Sequence, residues 1–422
     1  MKTPSRPGAL LPVADYHGTL AAVRSLGRAG IDVTVADGRA LVAARWSRYT
    51  ARCVDCPDPM TEPGAFIGWL LETGAKEPGR VLLPTTDDLA WLFARHAAEL
   101  RRHWVLDAPS LGAVYTVLNK WRLGEAAAAV GIDAPKTWLP SEAQLDGEGL
   151  PFPLLIKPQT QTMLLPHQKG RVVRAREDLR ALHADFMTQT KHGALLLESD
   201  PQATRPMLQE LVESRGIYGL SGFIDATGER FVVSASRKVL QRPQVLGIGL
   251  CFQHAKVDEA LAGRLRDLCR RIGYHGMFEV EFLEQAGRHL IIDFNPRCYG
   301  QMALDIARGA DLPLLAYLHA IKDEAALETE VELAKRRLAA GGARSWCDRI
   351  AMELFINLRR LTGHIDRPTA NTWKTWLEAH RHHLIDPVLD ADDWKPGVVA
   401  VLQSAWSHVK HPRATWRALS EA

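Results

Sequence analysis

The densest group of chemistry-bearing side chains lies between residues 278 and 297. Phe278-Glu279-Val280-Glu281-Phe282 alternates apolar and acidic residues, so as a strand it presents Glu279 and Glu281 on one face. Leu290-Ile291-Ile292-Asp293-Phe294-Asn295 ends in the same alternation and puts Asp293 and Asn295 together. Glu284-Gln285-Ala286-Gly287-Arg288 between them is a turn signal, and an antiparallel hairpin is expected. Pairing would bring Glu281 near Asp293 and Asn295. That is a set of hard oxygen donors, the kind Mg2+ takes when it also binds substrate phosphates. Arg297 follows within a few residues. An ordinary amphipathic hairpin with a solvated acidic face would have the same pattern, so the rest of the chain must supply the partners.

A nucleoside triphosphate site needs cations for the phosphates, carboxylates for the metal and a backbone segment that reads the base. Lys120 opens a helix, and Lys157 ends the strand-like Pro151-Phe152-Pro153-Leu154-Leu155-Ile156-Lys157. The two lie on separate elements and could reach α- and β-phosphates. Arg237 and Lys238 end another strand and add positive charge. Gln209-Glu210-Leu211-Val212 offers backbone donors and acceptors flanked by apolar side chains, suited to one edge of an adenine, and Glu213 could accept from a ribose. A lone lysine at a strand end usually meets only solvent; the combination carries the inference.

The elements that must position these groups can be read in order. Residues 9–14, a helix over 19–29 stopped at Gly30, and a strand over 31–37 form a βαβ unit, hence a parallel sheet. The first turn lacks G-x-G-x-x-G, which argues against a nicotinamide site. A second unit runs from Val81-Leu82-Leu83-Pro84 through the cap Thr85-Thr86-Asp87-Asp88 into a helix over 89–100. A helix from Lys120 to Val130 follows, then strands near 151–158, 171–174 and 208–213 and a helix over 177–189. Antiparallel strands at 217–225 and 230–238 and a helix at 258–272 lead into the hairpin. The polar loop Gln159–Gly170, with one glycine, could close over phosphates through Thr160, Thr162 or Lys169.

With 422 residues, 46% apolar and 24% charged, the chain suits a globular protein of two to four domains. A formal net charge of +3 gives no case for nucleic acid. No secretory signal and no run of about 20 apolar residues is found, so a cytoplasmic protein without a membrane span is expected. Six cysteines read as free thiols of a reducing compartment. Cys53-Val54-Asp55-Cys56 lacks the further ligands a zinc site needs, and His380-Arg381-His382-His383 reads as a polar helix end.

From Asn119 to about Ala310 the chain resembles the ATP-grasp superfamily, especially carboxylate–amine ligases akin to biotin carboxylase. The matching features stand in the family's order: Lys120, the strand Leu155-Ile156-Lys157-Pro158, the hinge Gln209 to Glu213, and Glu281 followed twelve positions later by Asp293, then Asn295-Pro296-Arg297. Gly273 to Glu281 also looks like the family's approach to that strand. The resemblance implies an α/β and α+β multidomain chain. Its parts would be an N-terminal pre-ATP-grasp, Rossmann-like domain (1–110), a two-lobed ATP-grasp core (111–322) and a helical C-terminal extension (323–422). Within the core, the adenine hinge would belong to a lobe at about 135–215 and the metal to a lobe at about 216–322. It implies ATP bound by Lys120, Lys157, Glu210, Leu211, Val212, Glu213, Arg237 and Lys238. Mg2+, as two ions and with Mn2+ as an alternative, would sit on Glu281, Asp293 and Asn295. Lys157 and Arg297 would be catalytic, with Arg297 stabilising phosphoryl and acyl intermediates. The implied reaction activates a small carboxylate as an acyl phosphate, releasing ADP, for attack by an amine. Two departures stand out: the glycine-poor loop 159–170, and aspartate at 293 where many relatives have glutamate.

Rival readings are a phosphotransferase or bicarbonate-using carboxylase on the same nucleotide site, and a nucleotide-binding protein without turnover. A Met-Lys-Met biotin-carrier signature is not found. Substrate determinants are sought among Asp15, Tyr16, His17, Thr85 to Asp88, Arg237, Gln241, Arg242 and Tyr299. Cys298 reads as an inert thiol. A monomer or homodimer is expected. In the tail, Val398, Val401, Leu402, Ala405, Trp406 and Val409 share a helical face, followed by Lys410, His411, Arg413, Trp416 and Arg417. This face is expected to pack back on the body, with a membrane surface or a partner as the alternative.

Overall fold

The structure is a computed structural model and describes residues 6–166, 169–242 and 247–410. Its first sheet holds β1 (Ala9–Pro12), β2 (Val33–Ala36), β3 (Thr50–Val54) and β4 (Val81–Leu82), all parallel in the order β3-β2-β1-β4. β1 and β2 are buried along their whole length, as strands covered on both faces must be. Helix His17–Arg28 makes the first crossover. Strand order reverses between β1 and β4, so the loops after these two strands open the switch-point crevice of a doubly wound sheet. Helix Asp87–Arg95 starts at that crevice, capped by Thr86, whose side chain accepts from Leu89 N.

Six short strands follow: β5 (Thr137–Trp138), β6 (Leu154–Lys157), β7 (Leu164–Leu165), β8 (Arg171–Val173), β9 (Lys191–His192) and β10 (Met207–Glu210). Four of them form the antiparallel sheet β5-β10-β6-β8, while β7 and β9 pair separately.

The largest sheet is built by β11 (Ile217–Ile224), β12 (Phe231–Arg242), β13 (Ile248–Ala255), β14 (Gly276–Gln285), β15 (Arg288–Asn295), β16 (Ser345–Cys347) and β17 (Leu384–Ile385), in the order β15-β14-β11-β12-β13-β16-β17. Strand alternation gives it two unlike faces. Tyr218, Leu220, Phe278, Val280 and Phe282 pack with Leu261, Leu265 and Leu268 of helix Glu259–Ile272 in one buried cluster. That helix stops at Gly273, whose φ of 72° is the left-handed conformation a glycine cap supplies. The opposite face carries the polar residues of β14 and β15. The hairpin joining these strands turns through Ala286 and Gly287, both at positive φ.

Three sequence expectations change here. The segment after residue 322 is not purely helical: between its helices Glu324–Ala340, Arg349–Leu361, Arg367–His380 and Lys395–Lys410 it supplies β16 and β17, and β16 extends the largest sheet by pairing with β13. β13 itself was not foreseen, nor was helix Pro63–Lys76. His167 and Gln168 of the loop 159–170, the side chains of Arg242 and Val409, and residues His411, Arg413, Trp416 and Arg417 lie outside the described residues.

Candidate active site

The polar face of β14 and β15 looks into a cleft of about 600 Å3 between the second and third sheets. Lys120, Lys157, Glu210, Leu211, Val212, Glu213, Lys238, Glu281 and Asp293 all line it. The hairpin register sets Glu281 opposite Asp293 and Glu279 opposite Asn295, and a bulge between Glu281 and Phe282 lets the alternation slip by one residue at Ile292. Ile292 thereby reaches the cleft wall beside Leu155 and Leu283.

Two ion pairs line the cleft. Lys120 Nζ lies 2.5 Å from Asp293 Oδ1, and Lys238 Nζ lies 2.5 Å from Glu281 Oε1. Lys120 is set by the capped start of its helix, where Asn119 accepts from the backbone N–H groups of Trp121 and Arg122. Lys157 Nζ donates to Gln209 Oε1 at 3.2 Å, across the β6–β10 pairing. Burial, and then repulsion from Lys120, pulls the Lys157 ammonium down to about 8; Asp293 works the other way. Asp293 is pushed up by desolvation but pulled further down by Lys120, Lys157 and Lys169, and settles at about 2. Its side chain is 37% exposed to the cleft, so a ligand can reach it.

Asn295 sits one step deeper. Its Nδ2 donates to Glu279 Oε2 at 2.5 Å, and its Oδ1 accepts from Arg297 Nη2 at 2.8 Å. Gln301 Nε2 also donates to Glu279. Burial, followed by the neighbouring Glu281, pushes the Glu279 carboxyl well above the usual carboxylate range. Arg297 Nε donates to Asp87 Oδ1 at 2.9 Å, which ties the site to the first sheet's crevice. Gly18 allows this approach, because a Cβ there would stand 2.5 Å from the Tyr299 carbonyl oxygen.

The donor set fits Mg2+ in kind, since Glu281, Asp293 and Asn295 offer oxygens from one sheet face. Among the described residues no three His, Cys, Asp or Glu side chains form a metal cluster, so an ion here would also draw on Asn295 and on phosphate oxygens.

Several expected residues fall elsewhere. Arg237 points to the other sheet face, as the neighbour of Lys238 in a strand must; it pairs with Glu284 at 2.8 Å and does not line the cleft. Thr160 and Thr162 are buried and bonded to each other, and the loop beneath them is pinned by Met163 N donating to Asp88 Oδ1 at 2.6 Å. Lys169 does return to the cleft, where its Nζ donates to Gly247 O. Of the substrate candidates, Gln241 lines the cleft, while Tyr299 is buried with its hydroxyl on Asp305. His17 turns toward Asp348 and Trp346, and Asp15 pairs with Arg39 at 2.6 Å. Tyr16 stays close to Arg297, Asp87 and Asp88. The Cys298 thiol is buried and pushed up to about 12 by desolvation, in keeping with an inert group.

Sequence reasoning missed Gln209 as the partner of Lys157, Asp87 as the partner of Arg297, and Trp373. Trp373, on helix Arg367–His380, lines both the cleft and a groove of about 610 Å3 between that helix and helix Arg349–Leu361. The groove holds none of the paired lysines and carboxylates and stands apart from the chemistry.

No family model matches the chain, and no curated protein matches it in sequence. Solved structures do match in three dimensions. The biotin carboxylase domain of the Hydrogenobacter thermophilus 2-oxoglutarate carboxylase, solved as a dimer with ADP, MgADP and bicarbonate, superposes with a TM-score of 0.60 at 13% identity. That match covers 75% of this chain and 70% of the other. The biotin carboxylase of Campylobacter jejuni, solved as a β-γ-ATP complex, gives 0.58 at 14% identity over 74% and 70%. The L-amino acid ligase of Bacillus licheniformis gives 0.55 at 16% identity over 75% of each chain. With the lysines, the hinge and the acidic hairpin facing one cleft between two sheets, this chain has the ATP-grasp fold.

Proposed function

We propose that the chain is an ATP- and Mg2+-dependent ligase that activates a small carboxylate as an acyl phosphate, releasing ADP, and passes the acyl group to an amine. The observation that carries this reading is the two ion pairs that line one cleft, Lys120–Asp293 and Lys238–Glu281. Each of these two lysines neutralises a carboxylate. A metal–polyphosphate complex would satisfy both sets at once, taking the carboxylates by its metal and the lysines by its phosphates, with no net charge left buried.

In this reading Lys120, Lys157 and Lys238 hold phosphate oxygens. The strand end Glu210–Val212 reads the adenine edge, and Glu213 accepts from the ribose. Mg2+, held by Glu281, Asp293 and Asn295, would neutralise charge on the transferring phosphoryl group. Arg297 lies beyond the hairpin and would stabilise the oxyanion formed when the amine attacks the acyl carbon. Asp87 keeps the guanidinium in place. The Campylobacter and Hydrogenobacter neighbours, solved with ATP-type and ADP ligands, support the nucleotide. The Bacillus amino acid ligase supports the carboxylate–amine class. A chain working on ATP this way belongs in the cytoplasm.

The test is a screen for ADP release over amino acids, other small carboxylic acids and bicarbonate, each with and without an amine, with product mass read in parallel. ADP formation that requires both acid and amine, with a product of their summed mass less water, is the expected result. Release driven by bicarbonate alone would move the assignment to a carboxylase, and no release with any pair would sink the ligase.

The Lys157 ammonium gives a pH expectation. Held down to about 8 by burial, it is charged below that pH and neutral above it. Phosphate binding needs the charged form, so the Kd for ATP should rise above about pH 8, approaching tenfold per pH unit. Lys157→Arg should flatten the profile. Titration calorimetry across the alkaline range checks this, and a flat wild-type profile would remove Lys157 from the phosphate site.

A further inference from the structure

The last described helix, Lys395–Lys410, is mounted with its apolar face outward. Val398, Val401, Leu402 and Trp406 are 48, 47, 53 and 60% exposed, and Trp394, just before the helix, is 61% exposed. At 100° per residue these five and the exposed Ala405 fall within one arc. The face turned to the body is the other one: Pro396, Gly397 and Val399 are buried, and Gln403 Nε2 donates to Asp15 Oδ1 at 2.5 Å. The expectation that the apolar face packs back on the body is thus reversed. The helix rests on the turn Ala43–Trp46, and there Trp46 and Leu41 are exposed as well.

The surrounding charge says what this face meets. No acidic residue occurs between Asp393 and Glu421, while Lys395, Lys410, Arg413 and Arg417 do. The acids at the base of the helix are already matched: Asp390 with Arg28, Asp393 with Arg24, Asp15 with Arg39, and Asp55 with Arg45. Asp392 has no ion pair among the described residues, and Arg48 Nη1 donates to its carbonyl oxygen at 3.2 Å. An apolar stripe with tryptophan at each end, a lysine beside the first tryptophan and another past the second, and no acid between them, is the make-up of a helix that lies in a lipid interface. A second copy of the chain is a poorer occupant. A twofold contact between two antiparallel copies of this helix would set Lys395 against Lys410 twice, with no acid on the face to pair them. No helix of the described residues is long and apolar enough to cross a membrane, so the contact is one of lying on the surface.

We propose that the outward face of helix Lys395–Lys410 docks the protein on an anionic lipid surface. Trp394, Val398, Val401, Leu402 and Trp406 enter the acyl boundary, and Lys395 and Lys410 meet the headgroups.

The full-length protein, sedimented with vesicles of phosphatidylcholine plus phosphatidylglycerol, tests this. It should co-sediment with them, more weakly with phosphatidylcholine alone, and less as salt is raised. The double substitution Val401→Asp with Leu402→Asp should cut the bound fraction by roughly tenfold or more while leaving the melting temperature near that of the wild type, since both side chains already face water. Equal binding to neutral vesicles, or undiminished binding of the double variant, would overturn the proposal. So would a wild type that ignores vesicles but sediments as a dimer that the double variant breaks.

Discussion

Asp293→Asn should abolish most ATP turnover while leaving the fold intact: ADP release should fall by about 10³-fold in kcat/KM, equivalent to ~4 kcal/mol of transition-state stabilisation. The carboxylate has two duties that an amide cannot share. In the cleft it balances Lys120 at 2.5 Å and helps keep Lys157 charged. In the loaded cleft it would carry one of the two formal negative charges that the hairpin offers a metal. The variant should therefore separate two quantities. The Mg2+ concentration for half-maximal activity should rise by tenfold or more, roughly the loss expected for a charged ligand. Binding of metal-free ATP should persist, because Lys120 loses its protein competitor. Glu281→Gln, which frees Lys238 in the same way, should show the same signature. The side chain of Asp293 is 37% exposed, so a large drop in melting temperature is not expected. Turnover within about threefold of wild type for either variant would show that the hairpin does not hold the metal.

How far the site could be read beforehand depended on whether its contacts were local. The hairpin was legible because period-two alternation and an Ala-Gly turn mark it within 20 residues, but a register counted from that turn would set Glu281 opposite Ile292, and it is the bulge that brings it opposite Asp293. The slip at Ile292 was not legible, since Leu290-Ile291-Ile292 is uniformly apolar and gives no sign of which residue bulges. Arg237 and Lys238 were both assigned to phosphate although adjacent strand residues face opposite ways; the alternation that placed Glu281 could have chosen Lys238. Thr160 and Thr162 looked like lid residues because their loop is polar. The carboxylate that pins this loop, Asp88, lies 75 residues upstream of Met163. Asp87 is 210 residues from Arg297, and Trp373 reaches the cleft only because β16 docks its segment on the edge of β13. In the tail the amphipathic face was found correctly but given the wrong direction. Periodicity shows that a helix has two faces, and only the contacts of the other face, Val399 and Gln403, decide which one turns inward.

The same long-range logic predicts the largest stability effect outside the cleft. Arg24, on the first helix, and Asp393, ahead of the last, are 369 residues apart and form a buried ion pair. Their side chains are 7% and 1% exposed. Every surrounding group is committed to them. Arg24 also donates to the carbonyls of Pro387, Val388 and Asp393, and Asp393 also accepts from Ser47 Oγ at 2.7 Å and Arg48 N at 2.8 Å. Asp393→Ala would leave a buried guanidinium without its counter-charge and two further donors without an acceptor, a loss of about 3–5 kcal/mol. The break should be local first, because this network clips segment 386–410 to the first sheet's domain. Backbone amides of Val399 to Gln403 should then exchange with solvent far faster than those of β11, and a protease should cut near residue 390 before the sheets unfold. Arg24→Met paired with Asp393→Leu should recover most of the loss, since removing both charges also removes their desolvation. The single variant would also be expected to release vesicles, because the helix that docks would lose its mount. If Asp393→Ala melts like the wild type and its last helix keeps its protection, the ion pair is not what holds the C-terminal segment, and the burden falls on the apolar contacts of Val388 and Val399 instead.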